Sequence, residues 1–214
     1  MAATRMIITG GHGSLARSIA SFFSTHSPDL EVLSPGRDEC DVTNSAQCHE
    51  YFRSHPCDLL IYAAGKSDQE LLAKSTSATW DEIIDVNLHA AARCAKEVSR
   101  GMIKQRCGHI IFLSSYSAIH PPAGQVAYAS AKAGLIGLTK SLAKEWGRAN
   151  IRVNAILPGF LDNPMTQSLS DARKQAVLEQ HTLGRLNTEH AVAALLYTLH
   201  FSMPHTSGQI FNLD

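Results

Sequence analysis

Arg5-Met6-Ile7-Ile8-Thr9-Gly10-Gly11-His12-Gly13-Ser14-Leu15-Ala16, running on into Arg17-Ser18-Ile19-Ala20, is the stretch on which the reading of the fold turns. Residues 5–9 are a short apolar run of strand type, and from Ser14 the apolar spacing becomes that of a helix. Between the two stand Gly10, Gly11 and Gly13. Glycine lets a backbone turn sharply and approach a ligand closely, and a helix that starts directly behind it offers free N–H groups and the positive end of its dipole. Strand, glycine-rich turn and helix in that order predict a pyrophosphate cradle, and Gly11, Gly13 and Ala16 satisfy the G-x-G-x-x-G/A spacing. The cradle is assigned to Thr9, Gly10, Gly11, His12, Gly13, Ser14 and Leu15.

The same alternation of strand and helix continues along the chain. Strand candidates lie at Arg5–Thr9, Leu30–Leu33, Glu39–Val42, Leu59–Tyr62, His109–Ser114, Arg152–Leu157 and Gln209–Leu213. Helical patterns lie at about 14–25, 44–54, 79–105, 126–148, 168–180 and 188–201, with Gly108 and Gly147 placed like stops. This order predicts an α/β fold, a Rossmann-type doubly wound parallel sheet of about seven strands, in one domain over residues 1–214. Only about five residues separate the second and third candidates, too few for a crossover helix. The helix there is missing, and Glu39–Val42 is a short edge strand or no strand at all.

Composition narrows the partners. Among 214 residues, 44% are hydrophobic and 19 basic side chains balance 19 acidic ones. A net charge of zero supplies no field to gather a phosphodiester backbone or an anionic lipid, so neither nucleic acid nor a membrane surface is expected. No apolar run reaches the roughly 18 residues of a membrane span, and residues 1–9 lack the pattern of a leader, so a cytoplasmic location is expected. The five cysteines, at 40, 48, 57, 94 and 107, contain no C-x-x-C pair and read as reduced, mostly buried thiols. The 11 histidines lack ligand spacing, and no metal is expected.

In dinucleotide folds an acidic residue at the end of the second strand takes the ribose 2′-hydroxyl, whereas an Arg accommodates a 2′-phosphate. This chain offers Ser34 and Arg37 and no carboxylate at the strand end, which favours NADP(H) over NAD(H). Tyr128 and Lys132, four apart, share a helix face. A phenol with an ordinary pKa near 10 works as an acid or base near neutrality only if an adjacent cation stabilises its phenolate, and Lys132 is in position to do so. Ser115 stands just past the end of the strand His109–Ser114, on the side of a parallel sheet where ligands bind. No G-x-S-x-G elbow surrounds Ser115, which excludes a serine hydrolase. Ala63, Ala64 and Gly65 close another strand with small side chains that let a cofactor pass close, and Asn87 sits inside a helix, where an Asn is ordinarily a propensity cost but can also donate its side chain to a site.

Taken together, these residues resemble the short-chain dehydrogenase/reductase family over almost the whole chain, and within it the 3-oxoacyl-(acyl-carrier-protein) reductase type. The resemblance implies that Ser115, Tyr128 and Lys132 are a catalytic triad and that Asn87 is a fourth member holding a water chain to the lysine. It implies that Asp41 and Val42 flank the adenine, that Ala63-Ala64-Gly65 stands for an Asn-Ala-Gly turn, and that Pro158 and Gly159 face the nicotinamide. Asn163 aligns with a Thr that meets the nicotinamide amide. The loop departs from the family's usual T-G-x-x-x-G-x-G, because Ser14 and Ala16 replace its last two glycines and Gly13 fits the spacing of another branch. The implied reaction is hydride transfer between NADP(H) and a carbonyl or secondary alcohol, with a 3-oxoacyl thioester as first expectation. The altered loop and missing helix also suit a non-catalytic NADP-binding sensor or scaffold, although such a protein has no need of a phenol and an ammonium on one helix face. Tyr116 to Pro122 and Phe160 to His181 are expected to wall the substrate pocket, with Met165, Leu169 and Val177 on the buried face of a lid helix and His120 solvated. Helices 79–105 and 126–148, apolar on more than one face, are expected to pair into a homodimer or homotetramer.

Overall fold

The computed structural model describes residues 5–167, 175, 177–179, 181 and 183–213. Along them run β1 (Arg5–Ile8), α1 (Ser14–His26), β2 (Glu31–Leu33), α2 (Ser45–Ser54), β3 (Leu59–Tyr62), α3 (Ser77–Ile84), a π-helical segment (Asp85–His89), α4 (Ala90–Gln105), β4 (Gly108–Leu113), α5 (Val126–Trp146), β5 (Ile151–Pro158), α6 (Pro164–Gln167), α7 (Glu189–Phe201) and β6 (Ile210–Leu213). The strands form one parallel sheet in the order β2-β1-β3-β4-β5-β6. The strand order reverses between β1 and β3, with β2 added on one side and β3 to β6 on the other, and this is the switch point at which doubly wound sheets open a crevice beyond their carboxyl ends.

Both faces of the sheet are covered, so its central strands are apolar throughout instead of alternating. Ile19 and Phe23 of α1 and Val192, Leu196 and Leu199 of α7 bury one face against Met6, Ile8, Leu59, Ile61 and Ile111. On the other, Phe52 of α2, Cys94 and Met102 of α4 and Leu135 of α5 meet Ile7, Leu60, Ile110 and Val153. Each such side chain contributes roughly 1.5–3 kcal/mol when fully buried. Helix starts follow local chemistry: Asn44 Oδ1 accepts from the amides of Ala46 and Gln47 at 3.0 and 3.1 Å, and Thr76 and Thr188 cap α3 and α7 in the same way.

Three expectations are corrected here. The sheet has six strands, because Glu39–Val42 is turn: the amides of Glu39 and Cys40 both donate to Gly36 O, and the Asp41 carboxylate accepts from Thr43 N at 3.0 Å and from Thr43 Oγ1. A chain bound back on itself over so few residues has no amides left for a ladder. Gly108 opens β4, and the stop of α4 is Arg106 in the left-handed region at φ 53°. Likewise Gly147 continues helically at φ −58°, and Asn150 at φ 59° makes the reversal, its Nδ2 donating to Arg106 O at 2.9 Å. The 168–180 helix lies largely outside the described residues, as does Leu169.

At the far end of β4 and β5 from the crevice, His109 is wholly buried, with Nδ1 3.3 Å from Nδ1 of His200 and Nε2 3.0 Å from Nδ2 of Asn154. Arg152 donates to the carbonyls of Leu199, His200 and Met203, closing the end of α7. Burial first, and then the Arg152 charge, holds His109 well below its ordinary value and His200 down to about 4. Both are neutral in the fold and take protons on unfolding below about 6.5, so stability is lost as the pH falls from there through about 4. His200 alone is expected to remove on the order of 3 kcal/mol across that window. Melting temperatures from pH 7 to 4 check this: a paired His109→Gln, His200→Gln variant should lose most of the acid dependence, and an equally steep dependence in it would contradict the assignment.

Candidate active site

The crevice begins with the turn after β1. Gly10 has φ +74°, and a Cβ there would lie 2.9 Å from Ala64 Cα, so the turn packs directly on the end of β3. Thr9 holds that contact: its Oγ1 accepts from the amides of Ala63 and Ala64, both at 3.1 Å. Gly11 presses on the end of β2, where a Cβ would lie 2.0 Å from Ser34 O, and its amide donates to Pro35 O at 2.9 Å. Gly13 is the residue before α1, and no side chain caps the amides that follow. The first turn of α1, from Ser14 to Ala16, therefore opens into the crevice with N–H groups lacking an intrahelical acceptor.

Beside it, Tyr62 at the end of β3 donates to Val86 O at 2.6 Å, inside the π-helical segment. Asn87 occupies the middle of that segment and is wholly buried. Its Nδ2 donates to Lys66 O at 2.6 Å and to Ile83 O at 2.9 Å, whereas its Oδ1 has no partner. A Cβ on Gly65 would lie 2.8 Å from that Oδ1 and 3.6 Å from Lys132 Nζ, so amide oxygen and ammonium face one small space kept open by glycine. A buried acceptor without a donor is costly, and a π-bulge in a helix often marks function.

Helix α5 brings Tyr128 and Lys132 to the same wall. Ser114 Oγ donates to Lys132 O at 2.8 Å and Lys132 Nζ donates to Leu113 O at 2.7 Å, stitching α5 to the end of β4. The Lys132 Nζ lies 5.6 Å from the Tyr128 ring centroid. Ser115 precedes a short 3₁₀ turn, and its Oγ accepts from Ser117 N at 3.1 Å. Burial raises the Tyr128 phenol above its ordinary value, and the neighbouring Ser115 hydroxyl acts in the opposite sense. Burial also lowers Lys132 to about 8.

Two adjoining cavities, of about 350 and 440 Å³, receive these groups. The first is walled by Ser14 and Leu15, by Ser115, Tyr128 and Lys132, and by Pro158, Gly159 and Asn163; the second by Arg37, Asp41, Val42 and Ala64. Gly10, Gly13, Ala63, Gly65 and Lys66 wall both. Five expected site residues face neither: Thr9, Gly11, Ser34 and Asn87 stand behind the walls, and His12 turns outward, 3.3 Å from the Asp38 carboxylate. Their contacts shape the walls instead. Arg37 is exposed and paired with Asp41 at 3.0 Å. Of the expected pocket walls, Tyr116, Ser117 and Phe160 do line the first cavity, Val177 is buried, and His120 stacks on Tyr116 at 4.5 Å, exposed.

Sequence reasoning missed Lys66, Glu82 and Gln125. Lys66 and Glu82 form an ion pair of 2.6 Å on the wall of the second cavity, and Gln125 Oε1 accepts from Ser117 Oγ at 3.1 Å in the first. Lys66 had a signal, a cation directly after the small-residue turn; Gln125 and Glu82 had none. Among the described residues no group of His, Cys, Asp and Glu could hold a metal ion, and no helix is long and apolar enough to cross a membrane.

A doubly wound sheet whose crevice carries a phenol and an ammonium beside an open helix N-terminus is that of a nicotinamide-dependent oxidoreductase. The chain belongs to the short-chain dehydrogenase/reductase family: the family model described as Enoyl-(Acyl carrier protein) reductase matches residues 32–214. It is 33% identical to a 3-oxoacyl-(acyl-carrier-protein) reductase of Chlamydia muridarum, over 97% of this chain and 94% of the relative. It is also 33% identical to the reductase of the same name from Aquifex aeolicus, over 100% of this chain and 87% of the relative. The fold is shared with the crystal structure of a 3-oxoacyl-(acyl-carrier protein) reductase from Brucella melitensis, at a TM-score of 0.90 and 23% identity over 98% of this chain and 89% of that one.

Proposed function

We propose that the protein reduces the ketone of a 3-oxoacyl thioester with NADPH. The observation that carries this reading is the Tyr128 phenol between the Ser115 hydroxyl and the buried Lys132 ammonium, on the wall of one cavity. The residues fit a dinucleotide: α1 presents uncapped amides, Gly10 and Gly11 stand where a Cβ would collide, and Asn87 Oδ1 waits for a donor. The amides of Ser14 and Leu15 would hold the pyrophosphate, Asp41, Val42 and Ala64 the adenosine, and Pro158, Gly159 and Asn163 the nicotinamide. Arg37 would meet the 2′-phosphate, since its exposed pairing with Asp41 contributes little and is readily exchanged.

When bound, the nicotinamide supplies the hydride. Ser115 donates a hydrogen bond to the ketone oxygen, and Tyr128 transfers its proton to that oxygen as negative charge develops there. Lys132 holds the ribose and lowers the cost of the phenolate left behind. A water held between Asn87 Oδ1 and the Lys132 ammonium would relay a proton from solvent through that ammonium back to the Tyr128 phenolate. The relatives' printed substrate, a 3-oxoacyl group on acyl carrier protein, supplies the substrate class, and pairing through α3, α4 and α5 of two copies the assembly.

The test is NADPH oxidation with acetoacetyl thioesters of coenzyme A and of acyl carrier protein between pH 6 and 10. Turnover is expected, flat near neutrality and falling roughly tenfold per pH unit beyond about 8, because the Lys132 ammonium is lost as the pH rises through its lowered value. NADPH binding without oxidation of either thioester would sink the reading, as would a rate that climbs through pH 9.

A further inference from the structure

We propose that Lys66 is a cofactor-binding residue that contacts the pyrophosphate, and that Glu82 is the counterion which holds its ammonium until the cofactor arrives. The proposal rests on the dinucleotide reading above and adds a contact that neither the glycine loop nor the Ser-Tyr-Lys set provides. Lys66 walls both cavities, as do Gly10 and Gly13 of the phosphate turn, so its stem stands where an adenosine half and a nicotinamide half must join. The other cation of the first cavity, Lys132, is committed to Leu113 O at 2.7 Å. Arg37, the other cation of the second, is paired with Asp41 at 3.0 Å. Arg37 is besides assigned to the 2′-phosphate, which leaves Lys66 Nζ, in an ion pair with Glu82 at 2.6 Å whose two side chains are each 53% exposed, as the cation placed for the pyrophosphate.

Its main chain is fixed, since Lys66 O accepts from the buried Asn87 at 2.6 Å, so the stem swings from an anchored point. The second cavity also carries three carboxylates, Asp41, Glu82 and Asp85, against the cations Arg37 and Lys66. A polyanionic ligand entering this wall meets an excess of like charge unless a cation moves to meet it. An exposed ion pair contributes little, whereas a charge-assisted bond from an ammonium to a phosphate oxygen in a partly enclosed cleft contributes more, so exchange of Glu82 for pyrophosphate is favourable.

Removal of the cation also leaves Glu82 unpaired and facing the phosphates, which makes the two effects separable. Dissociation constants for NADPH and for NADH, from cofactor fluorescence with no ketone present, provide the test. Lys66→Met is expected to weaken both dinucleotides about tenfold, with a shallower dependence on salt. Glu82→Gln is expected to tighten both severalfold, and the double variant to recover part of the loss. Unchanged affinity in Lys66→Met would overturn the proposal, and so would a loss confined to NADPH, which would make Lys66 a reader of the 2′-phosphate. A Glu82→Gln variant as weak as Lys66→Met would also overturn it, since the pair would then be a brace. Wild-type protein that binds neither dinucleotide would sink the ketoreductase reading together with this proposal, whereas normal wild-type binding with an indifferent Lys66 sinks this proposal alone.

Discussion

Tyr128→Phe is expected to lower turnover by about 10³-fold while the NADPH dissociation constant stays within about twofold. The substitution removes one oxygen and leaves the ring, so the packing of α5 against β5 and the Lys132 bond to Leu113 O at 2.7 Å are untouched. Lost with that oxygen is the phenol that stands with Ser115 and Lys132 on the wall of the first cavity and gives its proton to the ketone oxygen in the proposed reaction. Lys132 cannot replace it, since its ammonium is committed to Leu113 O and to the space beside Gly65. The measurement is single-turnover NADPH oxidation beside fluorescence titration of the cofactor. A rate within tenfold of wild type would remove Tyr128 from the chemistry, and a large loss of cofactor affinity would make its role structural.

Gly11→Ala is expected to cost about 3 kcal/mol of stability, a fall of roughly 10 °C in melting temperature, and about 100-fold in affinity for either dinucleotide. The added carbon would lie 2.0 Å from Ser34 O and 2.6 Å from Ser34 C, both backbone atoms at the end of β2. No rotamer relieves a clash with backbone, so the turn itself must move. It then loses the amide bond to Pro35 O and the close seat of Gly10 on Ala64. Gly137→Ala on the exposed side of α5, where a Cβ meets nothing within 4 Å, is the matched control and should be neutral or slightly stabilising. Equal melting temperatures and equal affinities in the two variants would show that the approach of loop and strand is dispensable.

Much of the architecture was legible from periodicity alone. The apolar runs at Leu59–Tyr62 and Gly108–Leu113 are buried on both faces, and a run without alternation marks an inner parallel strand. The segment after β2 was legible for the opposite reason: too few residues remained for a crossover, and turn chemistry at Gly36, Asp41 and Thr43 decided between a short strand and none. The helix stops were misread because a glycine is the favoured left-handed residue and not the required one. Arg106 and Asn150 take that conformation where Asn150 donates to Arg106 O and Arg106 donates to Arg148 O, so each stop is held by the other.

Within the site, the i, i+4 pairing of Tyr128 and Lys132 follows from helical repeat, and the uncapped start of α1 from a glycine standing where a capping side chain would be. Those are local facts, and local spacing determines them. The pairing of Lys66 with Glu82, the seating of Gln125 on Ser117, and the common space shared by Asn87 Oδ1 and Lys132 Nζ join residues 16, 8 and 45 positions apart through the meeting of β3, α3, the π-helical segment and α5. The outward turn of His12 and the recession of Gly11 and Ser34 behind the cavity wall are equally nonlocal, set by how closely the β1 turn approaches the end of β2. Chain chemistry on its own determined which elements form and which reacting groups share a face; only their packing decided which charges face the crevice, because contact across a parallel sheet depends on strand order and crossover, which no short window of residues encodes.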